Sequence, residues 1–207
     1  MEPGHTYFVD NNELIDLLKK EFYDNPEIML LNRGKQNYEF HLGTTYGHES
    51  NLWYLNIHGR GIRSEHEFWD AHQEFYDYLN KVTYPLDPDY KITRSWMKYY
   101  PKGFFSGLHN EFLGGEEHLD QHSNVILIDQ PENTVGGTIV IAGDSMKTSN
   151  DPNQPGNLRE RLYTRTLKRP GDAITWNEQA VHGVSKIEEG HRLVFVCIKE
   201  KVKNENG

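Results

Sequence analysis

The spacing of apolar side chains divides the sequence into a first part with helical periodicity and a second part with strand-like segments. Residues 10–24 begin with polar residues suited to a helix N-cap, and apolar side chains then recur at intervals of three and four. Residues 64–82 begin with Ser64 and Glu67, a capping-box spacing, and continue with an apolar and aromatic stripe. We therefore predict two amphipathic helices, over 10–24 and 64–82, that pack against a flat surface.

Short apolar segments bounded by Gly, Pro, Asn or Asp dominate the chain after residue 89, which is typical of a β-sandwich or barrel. Between the two helices, residues 36–58 predict two strands, and residues 83–89 predict a turn-rich hinge. The polar stretch 145–160 predicts one long loop, and loops of this length often carry function. The later strands are predicted at 90–100, 124–130, 136–142, 162–168, 172–177, 180–186 and 192–199.

These patterns predict one domain over residues 1–207, mainly β with N-terminal helices. Residues 1–89 would form a helical support with flanking strands, and residues 90–199 would form the β core. A chain of 207 residues can bury a sizeable core without disulfides. The single cysteine, Cys197, lies in an apolar segment, so we expect a buried thiol in a reducing compartment.

The overall charge narrows the classes of partner. The formal net charge is -9 and the pI is about 5.6, which disfavours a phosphate backbone as the main partner. The sequence contains no apolar segment of membrane-spanning length and no secretion signal at its start. We therefore expect a cytoplasmic protein with neither a nucleic-acid nor a membrane partner, and the sequence indicates no particular oligomeric state.

Histidine and aspartate provide a candidate metal site. His118 and Asp120 lie one residue apart, just before the apolar segment at 125–128. In extended backbone, side chains two positions apart project to the same face, so an imidazole and a carboxylate can converge on one ion. His182, on a later short strand, is the candidate third ligand. Two histidines and one carboxylate on one face of an octahedron leave three adjacent positions open, which suits ferrous iron that activates dioxygen.

A second pair of residues has the same spacing. His109 and Glu111 could replace His118 and Asp120 as ligands, and they would otherwise line the entrance to the site. We prefer His118 and Asp120 because a predicted strand follows them directly. His122 is interpreted as a neighbouring polar residue rather than a ligand.

Arg192 adds a candidate for binding an anion. It lies ten residues after His182 and opens the final apolar strand. A hairpin would place both side chains in one cavity, where a guanidinium offers a planar, permanently charged fork for a carboxylate. By strand alternation, the preceding His191 should face away from Arg192.

In this order the residues resemble the iron(II)/2-oxoglutarate-dependent dioxygenase superfamily, whose motif is His-x-Asp, a distant His and an Arg about ten residues beyond it. The matching residues are His118, Asp120, His182 and Arg192. The resemblance covers about residues 90–199.

This resemblance implies a double-stranded β-helix core of the jelly-roll type. It also implies Fe(II), 2-oxoglutarate and dioxygen as cofactors, with ascorbate as an optional reductant. Arg192 would hold the far carboxylate of 2-oxoglutarate, and Tyr99 or Tyr100 would add a hydrogen bond. Because adjacent strand residues face opposite sides, only one of these tyrosines should enter the cavity. The pair Gly136-Gly137, after the strand that follows the motif, also agrees with the family.

The implied reaction couples oxidative decarboxylation of 2-oxoglutarate to hydroxylation of an unactivated C–H bond. Related halogenases lack the carboxylate of the motif, so Asp120 favours hydroxylation over halogenation. The aromatic and acidic loop 104–117, if it covers the site, favours a substrate with positive charge, such as an amino acid or a basic peptide side chain, and a peptidyl residue such as proline is equally compatible with a small enzyme. The candidate substrate contacts are His109, Glu111 and Trp176.

Three other functions remain as alternatives. The first is a non-catalytic cupin-like binding protein, which has the fold without the chemistry. The second is a dioxygenase that acts on another small metabolite. The third is a zinc hydrolase, which needs a general base and a bound water and leaves Arg192 without a role.

Overall fold

The computed structural model describes residues 4–24, 38–41, 65–103, 105–109, 121–142, 162–177 and 180–202. The helices are α1 (Asn12–Tyr23), α2 (Glu65–Ala71) and α3 (Gln73–Val82). The strands are β1 (His5–Phe8), β2 (Tyr38–His41), β3 (Tyr90–Tyr100), β4 (Ser106–His109), β5 (Gln121–Asp129), β6 (Val135–Gly136), β7 (Ile139–Ala142), β8 (Leu162–Arg165), β9 (Asp172–Asn177), β10 (His182–Val184), β11 (Ile187–Glu189) and β12 (Arg192–Lys201). None of the helices in these ranges has both the length and the apolar character that a membrane crossing requires.

The helix predicted over 10–24 is confirmed as α1. The side chain of Asn11 caps it by accepting a hydrogen bond from the backbone N–H of Leu14 at 3.0 Å. The helix predicted over 64–82 was wrong in its continuity, because it breaks at His72 into α2 and α3. The backbone N–H of His72 donates to the carbonyl of Trp69, a tighter three-residue turn that ends α2.

Two antiparallel sheets form the β core. The larger has the strand order β1-β9-β5-β12-β3-β2, and the smaller has the order β4-β10-β7-β8. A two-stranded ribbon pairs β11 with β6. The long strand β12 pairs with both β3 and β5 at the centre of the larger sheet. The predicted mainly β class with a double-stranded β-helix core is confirmed.

The alternation of side chains along β12 divides the apolar residues between two cores. Leu193, Phe195 and Cys197 join α1, α2 and α3 in the helix-side core. Val194 and Val196 face the smaller sheet in the inter-sheet core. The expected burial of Cys197 is confirmed, because none of its surface is exposed. The larger sheet is therefore apolar on both faces, as a sheet covered on both sides requires.

The predicted strands agree with the structure most closely where they are long and buried. The predictions at 90–100 and 172–177 match β3 and β9, and the prediction at 192–199 falls within β12. The strand predicted at 136–142 was wrong in its continuity, because Gly137 has a positive φ of 68° and separates β6 from β7. One of the two strands predicted over 36–58 is confirmed as β2. The remainder of that stretch and the loop predicted at 145–160 lie outside the described residues.

A buried lysine ties α3 and the segment after it to the larger sheet. Lys199 has no exposed surface, and its ammonium donates to the carbonyl oxygens of Asn80 at 3.0 Å, Thr83 at 3.0 Å and Pro85 at 2.6 Å. Pro85 follows a cis peptide bond within the predicted turn-rich hinge. Three acceptors satisfy all three N–H groups of the ammonium, so Lys199 has a structural role.

Candidate active site between the two sheets

Arg192 opens β12 and lies between the two sheets with 1% of its surface exposed. Its Nε donates to Oε1 of Gln130 at 3.0 Å, and its Nη2 donates to the carbonyl of Leu167 at 3.3 Å. Its Nη1 donates to the carbonyl of Gly137. Three strand ends or turns therefore fix the guanidinium in one position.

The positive charge of Arg192 has no counter-ion in the described part of the chain. Burial lowers its pKa, and the neighbouring Tyr100 acts in the opposite direction. Arginine nevertheless stays protonated in proteins. A guanidinium has five N–H groups, and acceptors in the described ranges take three of them. One N–H on each terminal nitrogen is left for a ligand, a fork that suits a carboxylate.

The two candidate tyrosines lie on opposite faces of β3. Tyr100 pairs with Arg192 in the β3–β12 ladder, is 6% exposed and belongs to the inter-sheet core. Tyr99 faces the helices, where its ring stacks on Phe22 at 5.7 Å and on His191 at 5.2 Å. The prediction of Tyr99 as a cofactor contact is therefore corrected, because strand alternation turns its side chain away from the site.

His182 begins β10, where its Cα pairs with those of His109 on β4 and Ile141 on β7. Its side chain is buried, and Nδ1 lies 3.1 Å from the carbonyl oxygen of Ala180. A carbonyl can only accept a hydrogen bond, so Nδ1 carries the proton and Nε2 carries the lone pair in the neutral ring. A backbone carbonyl bound to one nitrogen is the usual device that orients a histidine for metal binding through the other.

Trp176 lies next to His182 although β9 and β10 belong to different sheets. The two ring centroids are 4.7 Å apart. The backbone N–H of Ala180 donates to the carbonyl of Asn177, the last residue of β9, at 2.8 Å. Ala180 therefore links the two strands, because its N–H bonds to the end of β9 and its carbonyl holds Nδ1 of His182.

The other candidate ligands lie beyond what the structure describes. His118, Asp120 and Glu111 are outside the described residues, and His109 is placed by its backbone alone. In the described ranges, no group of three or more His, Cys, Asp or Glu side chains is arranged to hold a metal ion. The ring of His122 packs against Tyr90, at a centroid distance of 5.8 Å.

The contacts that hold Arg192 were not predicted from the sequence. Gln130 follows an apolar strand and is indistinguishable in pattern from a surface glutamine. Leu167 contacts Arg192 through its backbone carbonyl, a group that every residue type has, so the sequence cannot indicate this contact. Gly137 did stand out, since paired glycines follow the strand after the motif, but its contact with Arg192 required the fold.

Comparison with known proteins gives a likeness in structure without one in sequence. No protein-family model matches the chain, and no curated protein matches it. A prolyl-4-hydroxylase from Pseudomonas putida superposes with a TM-score of 0.56 at 11% identity, over 99% of this chain and 95% of that one. HygX from Streptomyces hygroscopicus with iron bound gives 0.51 at 13% identity, over 96% of this chain and 82% of that one. The chain has the fold of these two proteins.

A further crystal structure of HygX holds nickel, 2-oxoglutarate and hygromycin B. It superposes with a TM-score of 0.51 at 11% identity, over 96% of this chain and 83% of that one. At identities this low, the superpositions establish the shared fold and nothing about individual residues. The chemistry at Arg192 and His182 has to be argued from the residues themselves.

Proposed function

We propose that this chain is an iron(II)- and 2-oxoglutarate-dependent oxygenase that hydroxylates an amino acid or a peptidyl residue. The observation that supports this most directly is the burial of Arg192 without a carboxylate partner among the described residues. Removing a cation from water costs several kcal/mol, about the scale of a protein's whole stability margin. A ligand carboxylate that enters beside it offsets this cost, and the far carboxylate of 2-oxoglutarate is such a group.

The donor set fits a metal ion at His182. Its Nδ1 is held by the carbonyl of Ala180, so the neutral ring presents the lone pair of Nε2 as a metal ligand. His118 and Asp120 would complete the set on the sequence motif. When bound, ferrous iron and 2-oxoglutarate supply an oxidative decarboxylation that is coupled to hydroxylation of a C–H bond.

The contribution of the chain itself is orientation and the exclusion of water. Arg192 and Tyr100 adjoin each other at one end of the inter-sheet core and would fix the far end of the cosubstrate. The aliphatic residues of that core surround the site and lower its dielectric, which strengthens the contact between guanidinium and carboxylate. Trp176 packs on the ring of His182 and restrains its rotation.

The proposed substrate class rests on two proteins that share the fold and on the charge of the chain. One protein with this fold is a prolyl-4-hydroxylase, which supports a peptidyl or amino-acid substrate. Another binds hygromycin B, so the fold accommodates chemically different molecules. The net charge of -9 favours a small or peptidyl substrate over a nucleic acid.

The test is succinate formation from 2-oxoglutarate with ferrous iron, together with calorimetric binding of 2-oxoglutarate. Arg192→Met should weaken 2-oxoglutarate binding by at least about 30-fold, because it removes one partner of a buried charge pair. Arg165→Met, a change of the same type at an exposed arginine on β8, should leave binding unchanged. Equal affinity in the Arg192→Met protein and the unmodified protein would contradict the proposal.

A second variant tests the metal ligand. His182→Ala should abolish iron binding and succinate formation, and retained turnover would contradict the ligand set. Binding of 2-oxoglutarate by the unmodified protein without any turnover would instead indicate a non-catalytic binding protein. The substrate class is tested by screening free amino acids and their N-acetyl amides for stimulated succinate formation.

A further inference from the structure

The indole N–H of Trp176 is a buried donor in the candidate active site that the proposed cofactors do not explain. Trp176 is 5% exposed, and its Nε1 has no hydrogen-bond acceptor among the residues that the structure describes. Native structures rarely leave a buried polar group without a partner, because a group that has lost its hydrogen bond to water and gained no other destabilises the fold. An unsatisfied donor beside His182, a candidate metal ligand, therefore points to an atom of a bound small molecule as its acceptor.

The sheet register separates Trp176 from the carboxylate site. Trp176 pairs with Ser123, and Ser123 pairs with Ile198 on β12. Arg192 and Ile198 are six residues apart on that strand. At about 3.3 Å per residue the backbone offset along the sheet is about 20 Å, so Trp176 and Arg192 lie toward opposite ends of the inter-sheet core.

His182 provides the second reference point. Its ring touches that of Trp176, while the guanidinium of Arg192 is held by Gly137 and Leu167 near the other end of the inter-sheet core. A cosubstrate that extends from Arg192 to a metal on His182 would leave Trp176 on the far side of the metal. We expect a molecule to be oxidised on that side, because the cosubstrate would occupy the other.

From this placement we infer that the indole N–H of Trp176 is a specificity-determining donor that binds a carbonyl or carboxylate oxygen of the substrate. The inference rests on the proposed function, and it narrows the substrate to a molecule with an acceptor oxygen close to the C–H bond that is oxidised. Free amino acids and peptidyl residues both meet this requirement, because each has a carbonyl oxygen next to its α-carbon. An aliphatic hydrocarbon or an amine without an oxygen acceptor does not.

Trp176→Phe removes the donor and keeps an aromatic surface against His182. The phenyl ring is smaller than the indole, and the control variant shares this loss of volume. Trp69→Phe is the matched control, because the Nε1 of Trp69 donates to Oγ of Ser95 at 3.1 Å in the helix-side core. Trp69→Phe should bind 2-oxoglutarate and support iron-dependent succinate formation without substrate at the level of the unmodified protein.

The kinetic arm uses the free amino acids and N-acetyl amides that stimulate turnover. For these compounds, Trp176→Phe should raise KM about tenfold, and Trp69→Phe should leave KM unchanged. An unchanged KM in Trp176→Phe overturns the inference. This is the result expected if a water molecule, rather than the substrate, accepts the hydrogen bond from this N–H. A higher KM for 2-oxoglutarate instead assigns the donor to the cosubstrate and also overturns it.

The second arm does not depend on turnover. The chain has four tryptophans, so its ¹⁵N–¹H spectrum has four indole cross-peaks, and Trp176→Phe identifies one by its loss. With zinc(II) in place of iron and 2-oxoglutarate present, a stimulating compound should move that cross-peak downfield. A cross-peak that no compound of the panel moves, or that 2-oxoglutarate alone moves downfield, overturns the inference. Absence of 2-oxoglutarate binding in the unmodified protein would instead overturn the proposed function, so the two failures are distinguishable.

Discussion

Gly137 and Arg192 occupy adjoining space in the inter-sheet core. A Cβ atom added to Gly137 would lie 2.8 Å from Nη1 and 2.9 Å from Cζ of Arg192, and 2.5 Å from Cδ1 of Ile187. The carbonyl of Gly137 also accepts a hydrogen bond from Nη1. The guanidinium is therefore held by a backbone that approaches it more closely than any side chain would allow.

Gly137→Ala should displace the guanidinium as well as strain the backbone. The positive φ of 68° costs an alanine about 1–3 kcal/mol, and the clash with Arg192 moves the group proposed to bind 2-oxoglutarate. We expect an affinity for 2-oxoglutarate at least about tenfold lower, measured by calorimetry. Gly103→Ala is the control, because Gly103 has a φ of 89° and nothing within 4 Å of an added Cβ. An equal loss of affinity in both variants would show that strain alone is responsible.

Gln130 offers a test of the charge at Arg192. Its Oε1 accepts from Nε of Arg192 at 3.0 Å, and its Nε2 donates to the carbonyl of Lys168 at 2.8 Å. Gln130→Glu would place a carboxylate against the guanidinium and compete with a ligand carboxylate for its charge. We expect Gln130→Glu to weaken 2-oxoglutarate binding more than Gln130→Leu, which removes the hydrogen bond without adding charge. The opposite order, measured by calorimetry, would mean that Arg192 does not need its net charge to bind the ligand.

The sequence predicted the fold best where periodicity and burial agree. The uninterrupted apolar run of β12 indicates a strand with both faces covered, and Asn11 with the apolar spacing after it indicates α1. The break at His72 was not predicted, since apolar and aromatic residues continue through it at helical spacing. The break appears in the structure as a tightened turn, in which the N–H of His72 donates to the carbonyl of Trp69.

The candidate site could be predicted in its residue types but not in its arrangement. Alternation predicted that one tyrosine of the pair Tyr99 and Tyr100 would face the site, and pairing with Arg192 was needed to identify Tyr100. The contact between Trp176 and His182 joins two sheets. Such contacts depend on how strands are ordered in space, which the spacing of residues along one strand does not encode.

Asp129 should make part of the stability depend on pH. Partial burial alone would raise its pKa, yet hydrogen bonds from Lys19 at 2.7 Å and Tyr23 at 2.9 Å, together with the charge of Lys19, hold the pKa below its ordinary value. The unfolded chain therefore binds this proton more readily than the folded one. The contribution to stability is present above the unfolded pKa of about 4 and is lost as pH falls through the folded pKa.

Asp129→Asn should consequently lower the free energy of unfolding at pH 7 by about 0.5–1 kcal/mol, since the group is only partly buried and solvent screens its ion pair with the more exposed Lys19. In urea denaturation series, the difference from the unmodified protein should shrink as the pH falls below the unfolded pKa of about 4 and through the lower folded pKa. Asp16→Asn, at an exposed position of α1, is the control and should change stability by less than about 0.5 kcal/mol. A difference between Asp129→Asn and the unmodified protein that does not vary with pH would contradict the ion-pair explanation.

Lys199 should affect stability without affecting the candidate active site. Lys199→Met leaves the carbonyls of Asn80, Thr83 and Pro85 without their donor, at a cost that exceeds the gain from removing a buried charge. We expect the free energy of unfolding to fall by about 2 kcal/mol and Tm by about 4–8 °C. Lys201→Met, at an exposed position of the same strand, should leave Tm unchanged. Affinity for 2-oxoglutarate should be the same in both variants. If Lys199→Met raised Tm, the cost of burying the ammonium would outweigh its three hydrogen bonds.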